Sequence, residues 1–120
     1  MLLAKLILII PIIYIIVILI LFGIQKSISD SYYRYRDTKW KYMFTLFCWT
    51  LAYPIMIITA NPLMFFAGIL LGITGASPAF KQDNIVKTSH MIGAYGCILL
   101  SQLAIALDYE LYWLNALFII

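Results

Sequence analysis

Charge is what this chain lacks. Only 11% of its 120 residues are Asp, Glu, Lys or Arg, where a soluble domain carries about a quarter. A helix that meets water needs a polar stripe opposite its buried one, and residues 6–24 hold no charged side chain at all. That argues against a soluble helical bundle. Histidine occurs once, at His90, and cysteine twice, at Cys48 and Cys97. Catalytic zinc normally takes three protein ligands, so neither a metal nor another cofactor is expected. The two cysteines fall in separate apolar stretches and read as small packing residues rather than a disulfide. No ionisable group lies near the centre of an apolar stretch and no repeat relates the two halves, which argues against an ion-coupled transporter.

What the chain has instead is apolar length, with 65% of its residues hydrophobic. As a helix, residues 6–24 would cover about 28 Å, close to the hydrocarbon thickness of a bilayer. The run exceeds the apolar core of a signal peptide and leaves through Gly23-Ile24-Gln25-Lys26, with no small-residue cleavage site. Further uncharged stretches predict an all-α, polytopic transmembrane bundle in a single domain, 1–120. Its expected spans are 2–24, 42–60, 62–80 and 88–107, four in full, with a partial fifth at 111–120. Ten residues reach about 15 Å, half a bilayer, so the last segment reads as a span cut short.

The eight basic residues are unevenly placed. Lys26, Arg34, Arg36, Lys39 and Lys41 precede residues 42–60, and Lys81 and Lys87 precede residues 88–107, whereas Lys5 stands alone at the other side. The positive-inside rule then places both basic loops in the cytoplasm and the N-terminus outside. Tyr32, Tyr33, Tyr35, Trp40 and Tyr42 interleave with these bases. Such a mixture can bind single-stranded nucleic acid, but beside a membrane it reads as the interfacial aromatic belt, and no nucleic-acid partner is expected. Across the membrane, Thr59-Ala60-Asn61-Pro62 is expected to form a tight turn.

Small residues recur every fourth position at Gly68, Gly72 and Ala76, and again at Ser89, Gly93, Cys97 and Ser101. Ridges of this kind let membrane helices approach closely, so the third and fourth spans are expected to pair through them. The first span has no such ridge and is expected at the edge of the bundle, facing lipid.

Polar groups gather on the side of the basic loops. Ser27-Ile28-Ser29-Asp30-Ser31 follows the first span, Ser77-Pro78-Ala79-Phe80-Lys81 ends the third, and Thr88-Ser89-His90 opens the fourth. The leading reading is a non-enzymatic membrane component that holds lipid headgroups, a second copy or another membrane protein through Arg34, Arg36, Lys39, Lys81 and His90. In it, Thr88 or Ser89 caps the fourth helix. The alternative is a lipid-modifying enzyme with His90 as base and Ser29 or Asp30 as its partner. A third is a pore-forming oligomer lined by Thr45, Thr50, Ser101 and Gln102.

Residues 27–105 carry Ser27-Ile28-Ser29 followed by Tyr32-Tyr33, then Ala67-Gly68, the exit Gly75-Ala76-Ser77-Pro78-Ala79-Phe80, and a single histidine opening the next span. This pattern resembles an uncharacterised family of small bacterial and phage-associated polytopic membrane proteins. The resemblance implies a multi-pass architecture, a bacterial inner membrane and a longer chain; it assigns no role to any residue. More distantly, Ser, Asp and His near one membrane face are similar to the seven-span hydrolases of the alkaline ceramidase type. Those hold zinc with several histidines, and this chain has one.

Overall fold

The computed structural model describes residues 2–108 and 110–119 and is 78% helical, with no strand among the described residues. Among the described residues six helices follow in order: α1 (Leu2–Phe22), α2 (Tyr32–Tyr35), α3 (Met43–Ile58), α4 (Pro62–Ala76), α5 (Asn84–Leu107) and α6 (Tyr112–Ile119). A 3₁₀ turn at Ile28–Ser31 leads into α2. The all-α expectation holds, but the expected four full spans and partial fifth do not. Among the described residues only two helices are long and apolar enough to cross a membrane, Ala4–Phe22 within α1 and Asn84–Leu107.

The reason lies in how α3 and α4 end. With 16 and 15 residues, they reach about 24 and 22 Å, short of the roughly 30 Å of hydrocarbon. The residue before a proline is pushed out of the helical region, and Ser77, preceding Pro78, lies at φ −119°, ψ 54°. Residues 77–80, expected to complete a span, leave the helix there. The expected 111–120 segment is an eight-residue helix, α6, and Ile120 lies outside the described residues. Asn115 of α6 donates to the carbonyl and side-chain oxygens of Gln102 at 2.9 and 2.8 Å, fixing α6 against α5.

The turn between α3 and α4 has a clear local cause. Asn61 caps α4 by accepting from the Met64 N–H at 3.1 Å, and Pro62 follows at the first helical position, where its missing donor costs nothing. The Asn61 amide also donates to Asp108 at 2.8 Å, joining this turn to the end of α5. At the opposite end Asp83 caps α5, its Oδ1 accepting from Ile85 and Val86. Thr88 and Ser89 therefore lie inside the helix, contrary to the expected cap, and Thr88 donates back to the Asn84 carbonyl.

Helix α4 packs along both α3 and α5, while α1 leans on α3 and the 3₁₀ turn. Small residues make these approaches possible, but not as two matched ridges. Gly68 and Gly75 of α4 face α3, against Met56 and Cys48, whereas Gly93 of α5 faces the Leu70–Thr74 backbone of α4. Gly72 has open space where a Cβ would sit, and Ala76 is exposed. Cys97 and Ser101 are half-buried, as is Ser89. Most of α1 is exposed, in keeping with its expected place at the edge, but Tyr14 and Ile18 are buried with Tyr35, Phe44 and Cys48 in the principal apolar cluster.

Candidate functional site

The site is assembled by the chain between α1 and α3. Gly23, with φ +73°, turns the chain back after α1 in a conformation that glycine adopts without strain. Ser27 then caps the 3₁₀ turn through the Asp30 N–H. The returning segment does not stop at the helix end. Ser31, fully buried, is 2.7 Å from the Tyr14 hydroxyl, and the Tyr35 hydroxyl bonds to Tyr14 as well. Tyr14 lies eight residues before the end of α1, about 12 Å back along its axis. Residues 28–35 are thus tucked against the flank of α1, and their hydroxyls satisfy one another where water would not.

Two long-range ties hold this segment from the other side. His90, only 2% exposed, sits with Nδ1 2.8 Å from the Ser77 carbonyl and Nε2 3.0 Å from Ser29 Oγ. A carbonyl can only accept, so Nδ1 carries the proton, and the unprotonated Nε2 accepts from the Ser29 hydroxyl. The ring stacks on Phe80 at 4.4 Å, which meets Tyr33 edge-on at 5.5 Å. The second tie pairs the Lys81 ammonium with Asp30 Oδ1, while the Lys81 N–H donates to the Tyr33 hydroxyl at 2.6 Å.

Burial works against the ionised form of Asp30, but hydrogen bonds from Lys81 and Ser27, with the charges of Lys81 and Lys26, outweigh it. They hold its carboxyl below the ordinary carboxylate range. A carboxyl with a depressed folded pKa contributes stability above its unfolded value and loses it as pH falls through the folded one. The unfolding midpoints of the wild type and Asp30→Asn are therefore expected to differ at neutral pH. They should converge as pH drops below about 3.9, the ordinary value for aspartate. A gap that stays constant with pH would show that the Asp30 charge contributes nothing.

The sequence candidates sort into two groups. Ser29, Asp30, Lys81 and His90 come together, but as Ser29 with His90 and Asp30 with Lys81, so no Ser-His-Asp relay forms. Lys81 and His90, both candidates for headgroups, thus have internal partners, His90 being buried while the Lys81 side chain stays half exposed. Arg34, Lys39 and Lys41 are exposed. Arg34 Nε donates to Gln25 at 3.1 Å; Lys39 lies over Trp40 and Lys41 over Tyr42, at 5.3 and 5.0 Å from the ring centres. Arg36 lies over Tyr33 and 3.5 Å from Asp37, an exposed pair that contributes at most about 1 kcal/mol. The residues considered for a pore have internal partners: Thr45 donates to Gly75, Thr50 to Phe47 and Ser101 to Ile98, and Gln102 accepts from Asn115.

Sequence reasoning missed Tyr14, Ser31 and Tyr35. Ser31 and Tyr35 are four residues apart, the spacing that puts side chains on one helical face, and that spacing was the available signal for this pair. Among the described residues no group of His, Cys, Asp and Glu could hold a metal ion. No protein-family model, curated protein or solved structure matches this chain.

Proposed function

We propose that this chain is a membrane-embedded helical protein that binds anionic lipid headgroups at the basic and aromatic segment 32–42. The observation that carries the reading is the exposure of Arg34, Lys39 and Lys41 among aromatic rings, on a segment clamped at Ser29 and Asp30. A clamped loop presents its charges without the ordering cost of a mobile one. Because α1 ends and α5 begins at this face, the seven basic residues beyond Lys5 gather there. The same rule as before then makes the face cytoplasmic, with the N-terminus outside, in a bacterial inner membrane. Membership of the small bacterial and phage-associated family belongs to this proposal too.

Each basic residue near an anionic leaflet contributes about 1 kcal/mol. Replacing Arg34, Arg36 and Lys39 together by glutamine is therefore expected to weaken retention of anionic phospholipid by roughly a hundredfold, or about 3 kcal/mol. Native mass spectrometry of the detergent-extracted protein reads this directly. Unchanged retention would overturn the reading.

The Ser29–His90 contact favours a second reading, a serine hydrolase acting on lipid esters, because a nucleophile and its base make this bond. An alkyl fluorophosphonate that modifies Ser29 in the wild type but not in His90→Gln would establish it. An unmodified Ser29 leaves the contact as a structural tie.

A further inference from the structure

A groove of about 510 Å³ runs between α1 and α3, within the range of about 300–1,000 Å³ typical of ligand sites. Tyr14 and Phe47, stacked face to face at 4.1 Å, lie among the residues that line it. Ile13, Val17 and Leu21 of α1 and Leu46 of α3 also line it and are left exposed. Along α1 it extends from Ile10 to Phe22, about 18 Å. That is close to the depth of one leaflet, half of about 30 Å. Trp40 stands at one end, and the ammonium of Lys39 lies over its indole ring, with Lys41 next in the chain.

Length, apolar lining and a cationic mouth describe one kind of occupant. We propose that the groove seats a single acyl chain of an anionic phospholipid, whose phosphate is met by Lys39 and Lys41 beside Trp40. This rests on the headgroup-binding reading above and adds a defined chain site to it.

The test uses the full chain in phosphatidylcholine vesicles doped with phosphatidylglycerol brominated in the upper part of its chains. Contact with bromine quenches indole emission, and the Trp40 share is the part lost in Trp40→Phe. Quenching of that share is expected to be at least about threefold stronger with brominated phosphatidylglycerol than with brominated phosphatidylcholine at the same mole fraction, the Lys39 and Lys41 charges supplying the preference. Val17→Phe with Leu46→Phe changes two exposed side chains, fills the groove and leaves every loop charge in place; it should abolish the excess. An excess that survives in this variant would overturn the chain site while preserving headgroup binding. No excess in either protein would overturn the chain site, and the Arg34, Arg36 and Lys39 variant would then decide headgroup binding separately. Trp40 shielded from both lipids, with Val17→Cys cross-linking to a second copy, would give the groove to a protein partner and overturn the proposal.

Discussion

Gly93→Ala is expected to force α4 and α5 apart. A Cβ at this position would lie 2.5 Å from Thr74 Oγ1, 2.7 Å from the Leu70 carbonyl oxygen and 3.0 Å from the Thr74 nitrogen. Two of those atoms are backbone of the facing helix, so no rotamer change relieves the contact. Overpacking a close-fitted interior costs about 1–3 kcal/mol when side chains can yield; here the cost should reach or exceed the upper end. Against a total stability of about 5–15 kcal/mol, that is a large fraction. Thermal unfolding in detergent should show a strong loss for Gly93→Ala and outright failure to fold for Gly93→Leu. Gly72→Ala is the internal control, since its Cβ meets open space. Helix propensity favours alanine over glycine by about 1 kcal/mol, so this variant should be neutral or more stable. Equal behaviour of the two alanine variants would contradict the arrangement of α4 against α5.

The second large effect falls on His90. Its ring is buried, hydrogen-bonded at both nitrogens and stacked on Phe80. Truncation to alanine leaves a cavity of aromatic size, about 3–5 kcal/mol in a packed interior, and strips a partner from Ser29 and from the Ser77 carbonyl. His90→Ala should therefore destabilise by about 3–5 kcal/mol and raise amide exchange across residues 25–35, whose attachment to α5 it removes. A double-mutant cycle with Ser29→Ala should return a coupling of about 0.5–3 kcal/mol, the range for residues in direct contact. An unchanged exchange pattern in residues 25–35 would mean that the histidine does not hold them.

The sequence was legible where one rule acted alone. Continuous apolar length predicted helices close to α1 and α5, and Asn61-Pro62 predicted the turn that caps α4. Length also misled, because residues 77–80 are uncharged and so looked like span, while Pro78 had already ended the helix. The glycine period identified Gly68 and Gly93 as close-approach positions, but a period cannot say which neighbour each faces. Gly68 turned to α3 while Gly93 met α4, so the two series expected to pair do not meet each other. Composition placed Ser29, Asp30, Lys81 and His90 near one face. Which donor would meet which acceptor depended on the reversal at Gly23 and the re-entry of residues 28–35, and the mutual satisfaction of Tyr14, Ser31 and Tyr35 had no signal in a scan for charged or catalytic types.

The spacing of the His90 tie along the chain also sets an order of events during synthesis. Ser29 and His90 are 61 residues apart. At about 5–20 residues per second, roughly 3–12 seconds separate the emergence of the hydroxyl from that of the imidazole that accepts its hydrogen bond. Lys81, the partner of Asp30, arrives only slightly earlier. For that interval α1 and its basic segment exist without the clamp, held by local bonds alone. The positive loop of the newborn chain therefore stays unlatched until α5 is delivered, and only α6 remains to dock after the latch has closed.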